Sequence, residues 1–384
     1  MTFQSLTFDA VAEARPGRKW CARWHRSWSA YETWFCVRGG DSGPTRAGCE
    51  AALAEHMPEL VPVHRQLARL AGDGDRAARF LSTWCPPPYL GGCSLAARAD
   101  GGTVRLVRNY DLSPDLNEGL LLRTEWTGMP VMGMVEFLWG LSDGVNAAGL
   151  SAALAFGGRS EVARGFGVTT ILRYVLETCA TVGQALAVLA RVPSHMAYNI
   201  TLADRQGATA TVELLPGGGA RRMPRAIATN HQHGAEAAER PDFTRSEERR
   251  EHLKELFSDR IAPEALGDIF LEEPLFQRNY AAGFGTLFTA VYDPTARRLT
   301  LRWPGHSWSQ RLDAFREGRR EVRYLDDLRP VVAREPEAPA DVTKALEAIR
   351  PFLSPARMRA FDRWARGART YGLDWASFGR VFSG

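Results

Sequence analysis

The chain has 384 residues, 45% of them hydrophobic, which is enough for a substantial core in one large domain with appendages or in two domains. Lys+Arg (48) nearly balances Asp+Glu (44) and the formal net charge is only +4, so a nucleic-acid partner is not expected. The six cysteines form no C-x-x-C pair and no zinc-ligand rhythm. No metal and no bound cofactor are therefore expected, and a reducing cytoplasm fits best. A basic-then-apolar leader and a run of membrane-span length are both missing from the pattern, so no membrane span is expected.

In chain order, Trp20, Trp24, Trp28, Tyr31 and Phe35 recur at helical spacing with Arg18, Lys19, Arg23 and Arg26 between them. A basic aromatic helix suits a membrane surface or a docking face on the main body; the large apolar area of the rings favours the second. Glu50 to Gly72 reads as one further helix, with Leu53, Met57, Leu60, Val61, His64, Leu67 and Leu70 on a broad apolar face. Cys85-Pro86-Pro87-Pro88-Tyr89-Leu90 is a stiff extended lead-in.

It delivers the chain to Gly91-Gly92-Cys93-Ser94. Ser94 to Ala99 and Thr103 to Val107 flank Asp100-Gly101-Gly102, the signature of a hairpin, and Arg108-Asn109-Tyr110-Asp111 come off its return strand. A thiol, a guanidinium and a carboxylate then converge on one small volume. Gly92 lacks a Cβ and is expected to take a strained conformation that lets the Cys93 sulfur reach the preceding carbonyl. Attack there makes a thioester, and water releases Cys93 as a new N-terminus. Its free α-amine, with a pKa of roughly 7.7–8.0 in peptides, is a general base for the thiol it sits beside. Read without the rest of the pattern, Gly-Gly-Cys-Ser is a turn followed by a buried cysteine.

The stretch CSLAARADGGTVRLVRNYD from Cys93 resembles the start of the mature chain in cysteine N-terminal-nucleophile hydrolases: penicillin V acylase, bile salt hydrolase and the autoproteolytic isopenicillin N acyltransferase family. The internal cysteine after a long leading segment and a glycine resembles the acyltransferase branch most, and the resemblance runs from about His56 to Gly318. It implies a four-layer αββα sandwich of two antiparallel sheets, an α+β fold. It also implies Cys93 as nucleophile and, through its amine, base, with Arg108 and Asp111 holding that amine and thiol, and cleavage between Gly92 and Cys93.

Beyond Asp111 the chain loops from Leu112 to Trp126 and enters an apolar run, Val131 to Leu141. Ser142 to Gly149 has turn chemistry, with Asp143 and Asn146 read as turn caps, and Leu150 to Phe156 returns as a strand. By the resemblance, the main-chain N–H of Ala155 is the first oxyanion donor. Phe137, Trp139 and Phe156 suggest an apolar substrate pocket. Thr169 to Cys179 and a second segment capped by Thr181 and Gln184 read as helices, followed by strands Ala197 to Ala203 and Ala210 to Leu215. In Thr229-Asn230-His231 the resemblance implies Asn230 as the second, side-chain oxyanion donor. His231 and His233, two apart with no third partner, read as a solvated loop rather than a metal site. Ser246 and Arg249 fit a Ser-x-x-Arg whose arginine faces the active site in the resembling enzymes; a solvated helix face is the alternative. Thr286 to Tyr292 and Leu299 to Trp303 supply a last hairpin.

The expected organisation is a segment 1–92 cut from the body but retained by it, a catalytic domain 93–330, and a linker with a helical extension, 331–384. The expected function is an autoproteolytic enzyme that cleaves or transfers an acyl group from a small-molecule amide or thioester through a Cys93 thioester. An acyl-CoA is a co-substrate if the reaction is transfer. A homo-oligomer is compatible with the amphipathic C-terminal face of Met358, Phe361 and Trp364. The alternative is a non-enzymatic binding protein that kept the fold, whose mark would be loss of the nucleophile, of Asp111 or of Asn230.

Overall fold

The computed structural model describes residues 4–89, 91–233, 244–258, 261–280 and 283–324. The linker and helical extension expected over 331–384 lie outside them. The chain opens with β1 (Gln4–Ala12), then four helices, α1 (Arg18–Val37), α2 (Arg46–His56), α3 (Val61–Leu70) and α4 (Asp75–Ser82). A hairpin follows, β2 (Gly92–Asp100) and β3 (Thr103–Leu112), then the meander β4 (Leu120–Thr124), β5 (Val131–Glu136), β6 (Gly140–Asn146) and β7 (Leu150–Phe156). Helices α5 (Val168–Thr178) and α6 (Val182–Arg191) precede β8 (Tyr198–Asp204), β9 (Thr209–Leu214), β10 (Ala220–Arg222) and β11 (Ile227–Ala228). The last elements are α7 (Ser246–Ser258), α8 (Leu266–Ile269), β12 (Arg278–Asn279), β13 (Phe284–Asp293), β14 (Arg298–Trp303), β15 (His306–Arg311) and β16 (Gly318–Tyr324).

These strands form a nine-stranded sheet, β10-β9-β8-β7-β6-β5-β4-β1-β16, and a seven-stranded one, β11-β2-β3-β13-β14-β15 with β12 on β13. Their inner faces meet over a core that includes Phe8, Leu95, Leu106, Met132, Val145 and Phe288. Helices α5 and α6 cover the outer face of the large sheet, and Leu253 and Leu266, from α7 and α8, pack with Ala96 and Val107 on the outer face of the small one. This is the expected αββα layering. It departs from two purely antiparallel sheets at one pair, because β1 runs parallel to β4.

Locally the elements follow their residues. Gly101 and Gly102, at φ 54° and 80°, supply the two left-handed positions that a two-residue turn between twisted strands requires. The segment expected as one helix over 50–72 is split into α2 and α3, because Pro58 has no N–H to donate to the preceding turn. Helix α1 buries Trp20, Trp24 and Phe35 against the helical side of the large sheet, so its aromatic face docks on the body. The run 131–141 is two strands with a tight reversal between them, and β4, β15 and β16 were not legible in the sequence. Among the described residues no helix is long and apolar enough to cross a membrane.

Candidate active site

The β2–β3 register places Gly92 opposite Asp111, Cys93 opposite Tyr110 and Ser94 opposite Asn109. Arg108 to Asp111 are thus inside the return strand rather than beyond its end. On the other side of β3, Asp111 pairs with Thr286 and Tyr110 with Phe288, so β13 carries an irregularity between them. Such a bulge re-aims side chains, and here Thr286 Oγ1 donates to Asp111 Oδ1 at 2.7 Å.

Gly92 is required for a different reason than the sequence suggests. Its φ is not in the left-handed region, but a Cβ there would lie 2.4 Å from the Phe284 ring and 3.0 Å from the Asp111 carbonyl oxygen. Close packing, not backbone strain, excludes any side chain in front of the cysteine.

Cys93 is buried. Arg108 Nη2 donates to its sulfur at 3.3 Å, while Nη1 donates to Ser142 Oγ at 2.8 Å and Asp143 Oδ2 at 2.7 Å. Burial pushes the Cys93 thiol up to about 11; the Arg108 cation opposes this and the Asp111 charge adds to it. Cys93 is therefore held as a neutral thiol at pH 7. Its amide N–H donates to Asn230 Oδ1 at 2.9 Å, and Asn230 Nδ2 donates to the carbonyls of Gly91 (3.3 Å) and Phe156 (3.2 Å).

Arg249 is fully buried and joins these groups. Nη1 donates to the Cys93 carbonyl at 2.7 Å and to Ser94 Oγ at 2.8 Å and lies 3.4 Å from Asp111 Oδ2; Nη2 donates to Asn230 Oδ1 at 2.9 Å. The helix-face alternative for Arg249 is thereby excluded: α7 points it inward, with Nε anchored on the Thr244 carbonyl at 2.8 Å. Asp111 is raised from the usual carboxylate range by burial, with Arg249 and Thr286 opposing. Its carboxylate meets Thr286 and Arg249, while the Cys93 N–H meets Asn230, so Asp111 does not hold the cysteine nitrogen.

Several assignments need correction. Gly157 N–H donates to the Ala197 carbonyl at 2.8 Å, and alternate residues of a strand send their N–H to the same side. The Ala155 N–H accordingly faces β8, opposite Asn199, and is committed to the ladder. Phe156 faces the other edge, which β6 leaves uncovered because it pairs only with residues 151–153. Trp139 does not line a pocket: it is fully buried in the helical core with its indole N–H on the Leu81 carbonyl at 3.1 Å. Phe137 packs on Tyr89 with ring centroids 4.5 Å apart, and Phe156 on Tyr198 at 6.0 Å.

Asp143 is not a turn cap. It sits within β6, buried, as the ion-pair partner of Arg108, and Tyr292 donates to its other oxygen. Asn146 does cap the turn by accepting from Leu150 N–H, and it also donates to the carbonyls of Leu176 and Cys179. His231 is not solvated: it is buried, with Nδ1 2.7 Å from Ser246 Oγ, whereas His233 is exposed. Among the described residues no group of His, Cys, Asp or Glu could hold a metal ion.

Sequence reasoning also missed Glu136. Burial pushes its carboxyl up to about 7, with Arg108 opposing, and the Tyr110 hydroxyl lies beside it. The only signal was a lone charge ending an otherwise apolar run.

The arrangement can hold a thiol next to a guanidinium, place an amide donor group beside the bond in front of that thiol, and exclude water from both. The profile of the family "Acyl-coenzyme A:6-aminopenicillanic acid acyl-transferase" matches residues 98–308, more than half the chain, beginning just beyond Cys93. No curated protein matches the chain. Similar solved structures include a mutant of conjugated bile acid hydrolase from Clostridium perfringens, at 13% identity and a TM-score of 0.41 over 60% of this chain and 96% of that one. Penicillin V acylase from Agrobacterium tumefaciens has 14% identity and a TM-score of 0.37 over 58% and 86%. The Caenorhabditis elegans ortholog of N-acylethanolamine-hydrolyzing acid amidase has 18% identity and a TM-score of 0.38 over 53% and 93%.

Proposed function

The chain belongs to the acyl-coenzyme A:6-aminopenicillanic acid acyl-transferase family, a group of acyl-transferring or acyl-hydrolysing enzymes, and from that premise we propose that it is a self-processing cysteine enzyme with Cys93 as nucleophile. The observation that carries this reading is the convergence of Arg108 on the Cys93 sulfur and of Asn230 and Arg249 on the Cys93 backbone, all within one buried cluster.

In maturation the Cys93 sulfur attacks the Gly92 carbonyl carbon. The C–S bond forms, the C–N bond breaks as the cysteine nitrogen takes the thiol proton, and water hydrolyses the thioester to a Gly92 carboxylate. The liberated α-amine then takes the thiol proton in each turnover. Asn230 no longer has an amide N–H to accept, and Asp111, paired across the strands with Gly92, is placed to orient the new amine. The sulfur attacks the substrate carbonyl, and negative charge collects on its oxygen. Asn230 Nδ2 and the Phe156 N–H, which replaces Ala155 in this role, are the two donors, each worth about 2.7–4 kcal/mol of barrier. The leaving amine or thiol takes the proton back. Water then regenerates the enzyme, or an amine accepts the acyl group. No cofactor takes part, and an acyl-CoA serves as acyl donor if transfer is the reaction. The small-molecule substrate is an acyl amide or acyl thioester, the site of action is the cytoplasm, and the released segment 1–92 stays with the body.

Denaturing electrophoresis and intact mass of the wild type beside Cys93→Ala test this. Two fragments, 1–92 and 93–384, that co-purify are expected against one intact chain. A wild type that stays full length while cleaving amides would remove self-processing from the reading, and inactivity of both proteins on acyl amides and thioesters would remove the whole of it.

A further inference from the structure

The large sheet sends one charged side chain to the partner of the nucleophile. Cys93 and Arg108 stand on the paired strands β2 and β3 of the small sheet. Asp143 stands on β6 of the large one, between Met134 of β5 and Ala153 of β7. Its carboxylate meets Arg108 across the sandwich, and both side chains are fully buried.

The shape of a guanidinium says what this contact does. The group is planar and its nitrogens are fixed relative to one another, so anchoring one of them aims the others. Nη1 is anchored twice from β6, on Asp143 Oδ2 at 2.7 Å and on Ser142 Oγ at 2.8 Å. The Tyr110 ring closes one face, its centroid 4.2 Å from the guanidinium carbon. Nη2 is thereby aimed at the Cys93 sulfur, 3.3 Å away. Asp143 is itself held, because its Oδ1 accepts from the Tyr292 hydroxyl of β13 and, at 3.4 Å, from the Met134 N–H.

A second carboxylate competes for the same cation. Glu136, at the end of β5, is pushed up to about 7 by burial with Arg108 opposing, so part of it is charged at neutral pH. Its Oε1 and Arg108 Nε are each buried without a hydrogen-bond partner. Glu136 therefore pulls on the guanidinium by charge, whereas Asp143 fixes it by a direct bond. The titratable groups acting on Arg108 are Cys93 from β2, Tyr110 and Asp111 from β3, Glu136 from β5, Asp143 from β6 and Tyr292 from β13.

We infer that Asp143, held by Tyr292, is a positioning residue that keeps Arg108 turned toward the Cys93 sulfur and away from Glu136. The inference rests on the reading of Cys93 as nucleophile and adds to it what the large sheet contributes. Its effect has the opposite sign to that of simple charge. If nothing moves, removing a negative charge near a thiol lowers the thiol pKa. If Asp143 positions Arg108, its removal lets the cation swing to Glu136. The thiol pKa then rises, because a guanidinium in contact favours the thiolate.

Iodoacetamide alkylation of Cys93 reads that sign, followed by peptide mass spectrometry from about pH 5 to pH 10 on wild type and variants at the same processing state. Near-ultraviolet circular dichroism checks that each variant keeps native packing. In Asp143→Asn the pH of half-maximal reactivity is expected to lie above that of wild type by about 1 pH unit or more. Tyr292→Phe keeps the Asp143 charge and loosens its hold; it is expected to move the same way by less, and it carries the test if Asp143→Asn does not fold or mature. A midpoint that falls or stays in Asp143→Asn, or in Tyr292→Phe where that variant carries the test, overturns the inference while the nucleophile stands. A wild type that neither processes nor alkylates at Cys93 brings down the nucleophile reading and the inference with it.

Discussion

Asn230 makes different contacts with its two side-chain polar atoms. Its Oδ1 accepts from the Cys93 amide and from Arg249, which fixes the side chain so that Nδ2 projects toward the Gly91 and Phe156 carbonyls. Asn230→Ala should slow maturation, and on the fraction that matures should lower kcat by about 10²–10³, the effect of one lost oxyanion donor. Mass spectrometry of the cleaved fraction and acyl release per processed site separate the two effects; normal turnover per processed site would remove Asn230 from the oxyanion role. Glu136 gives a prediction that needs no substrate. Its folded-state pKa is raised, to about 7 from 4.5, so the stability tied to its neutral form is fully present below about pH 4.5 and lost as pH rises through 7. A glutamine keeps the neutral form at every pH. Glu136→Gln should therefore melt higher than wild type at pH 8, by about 2 °C or more, with the gap shrinking toward pH 5. Equal melting curves at both values would mean that Arg108 offsets the cost of burying the charged carboxylate.

If the chain is cut as proposed, strand β1 is one of the elements that would hold the two pieces together. It lies inside the large sheet, antiparallel to β16 from Gln4↔Tyr324 to Ala10↔Gly318 and parallel to β4 from Asp9↔Leu120 to Ala12↔Arg123. Phe8 is fully buried between the sheets, edge-on to Phe288 at 5.8 Å and Trp303 at 5.3 Å. A cut at Gly92–Cys93 breaks none of these contacts. Phe8→Ala should cost about 3–5 kcal/mol. In processed protein it should release the 1–92 fragment at lower urea than wild type, as read by size-exclusion chromatography. Release at the same urea concentration in both proteins would mean that β1 does not hold the fragments together.

At the scale of the whole molecule, the proposed processing boundary and the fold boundary do not coincide. Helices α1 to α4 share one core with α5, α6 and the outer face of the large sheet, where Trp20, Leu53, Leu67 and Phe80 cluster with Leu141, Ile171 and Leu176. Processed protein should therefore sediment as one species with the mass of the uncut chain, and separate only when the core is denatured. Dissociation of the small fragment in native buffer would contradict the shared core.

The order of local signals was enough to read the hairpin and the α+β class, because turn glycines and alternation are properties of neighbouring residues; the αββα layering followed from the family resemblance. Arg249 and Asn230 could be named from short motifs, but their convergence on Cys93 joins positions 156 and 137 residues away in the chain, which only the packed sheets bring about. The same limit explains the errors. Trp139 and a pocket-lining tryptophan have the same local pattern, and burial against Leu81 separates them. Asp143 carries turn chemistry in sequence and pairs with Arg108 because β6 faces β3 across the sandwich. Ala155 and Phe156 are adjacent, and strand register alone decides which N–H is left to the site. Glu136 was invisible because its burial beside Arg108 and Tyr110 is a property of three-dimensional surroundings rather than of sequence.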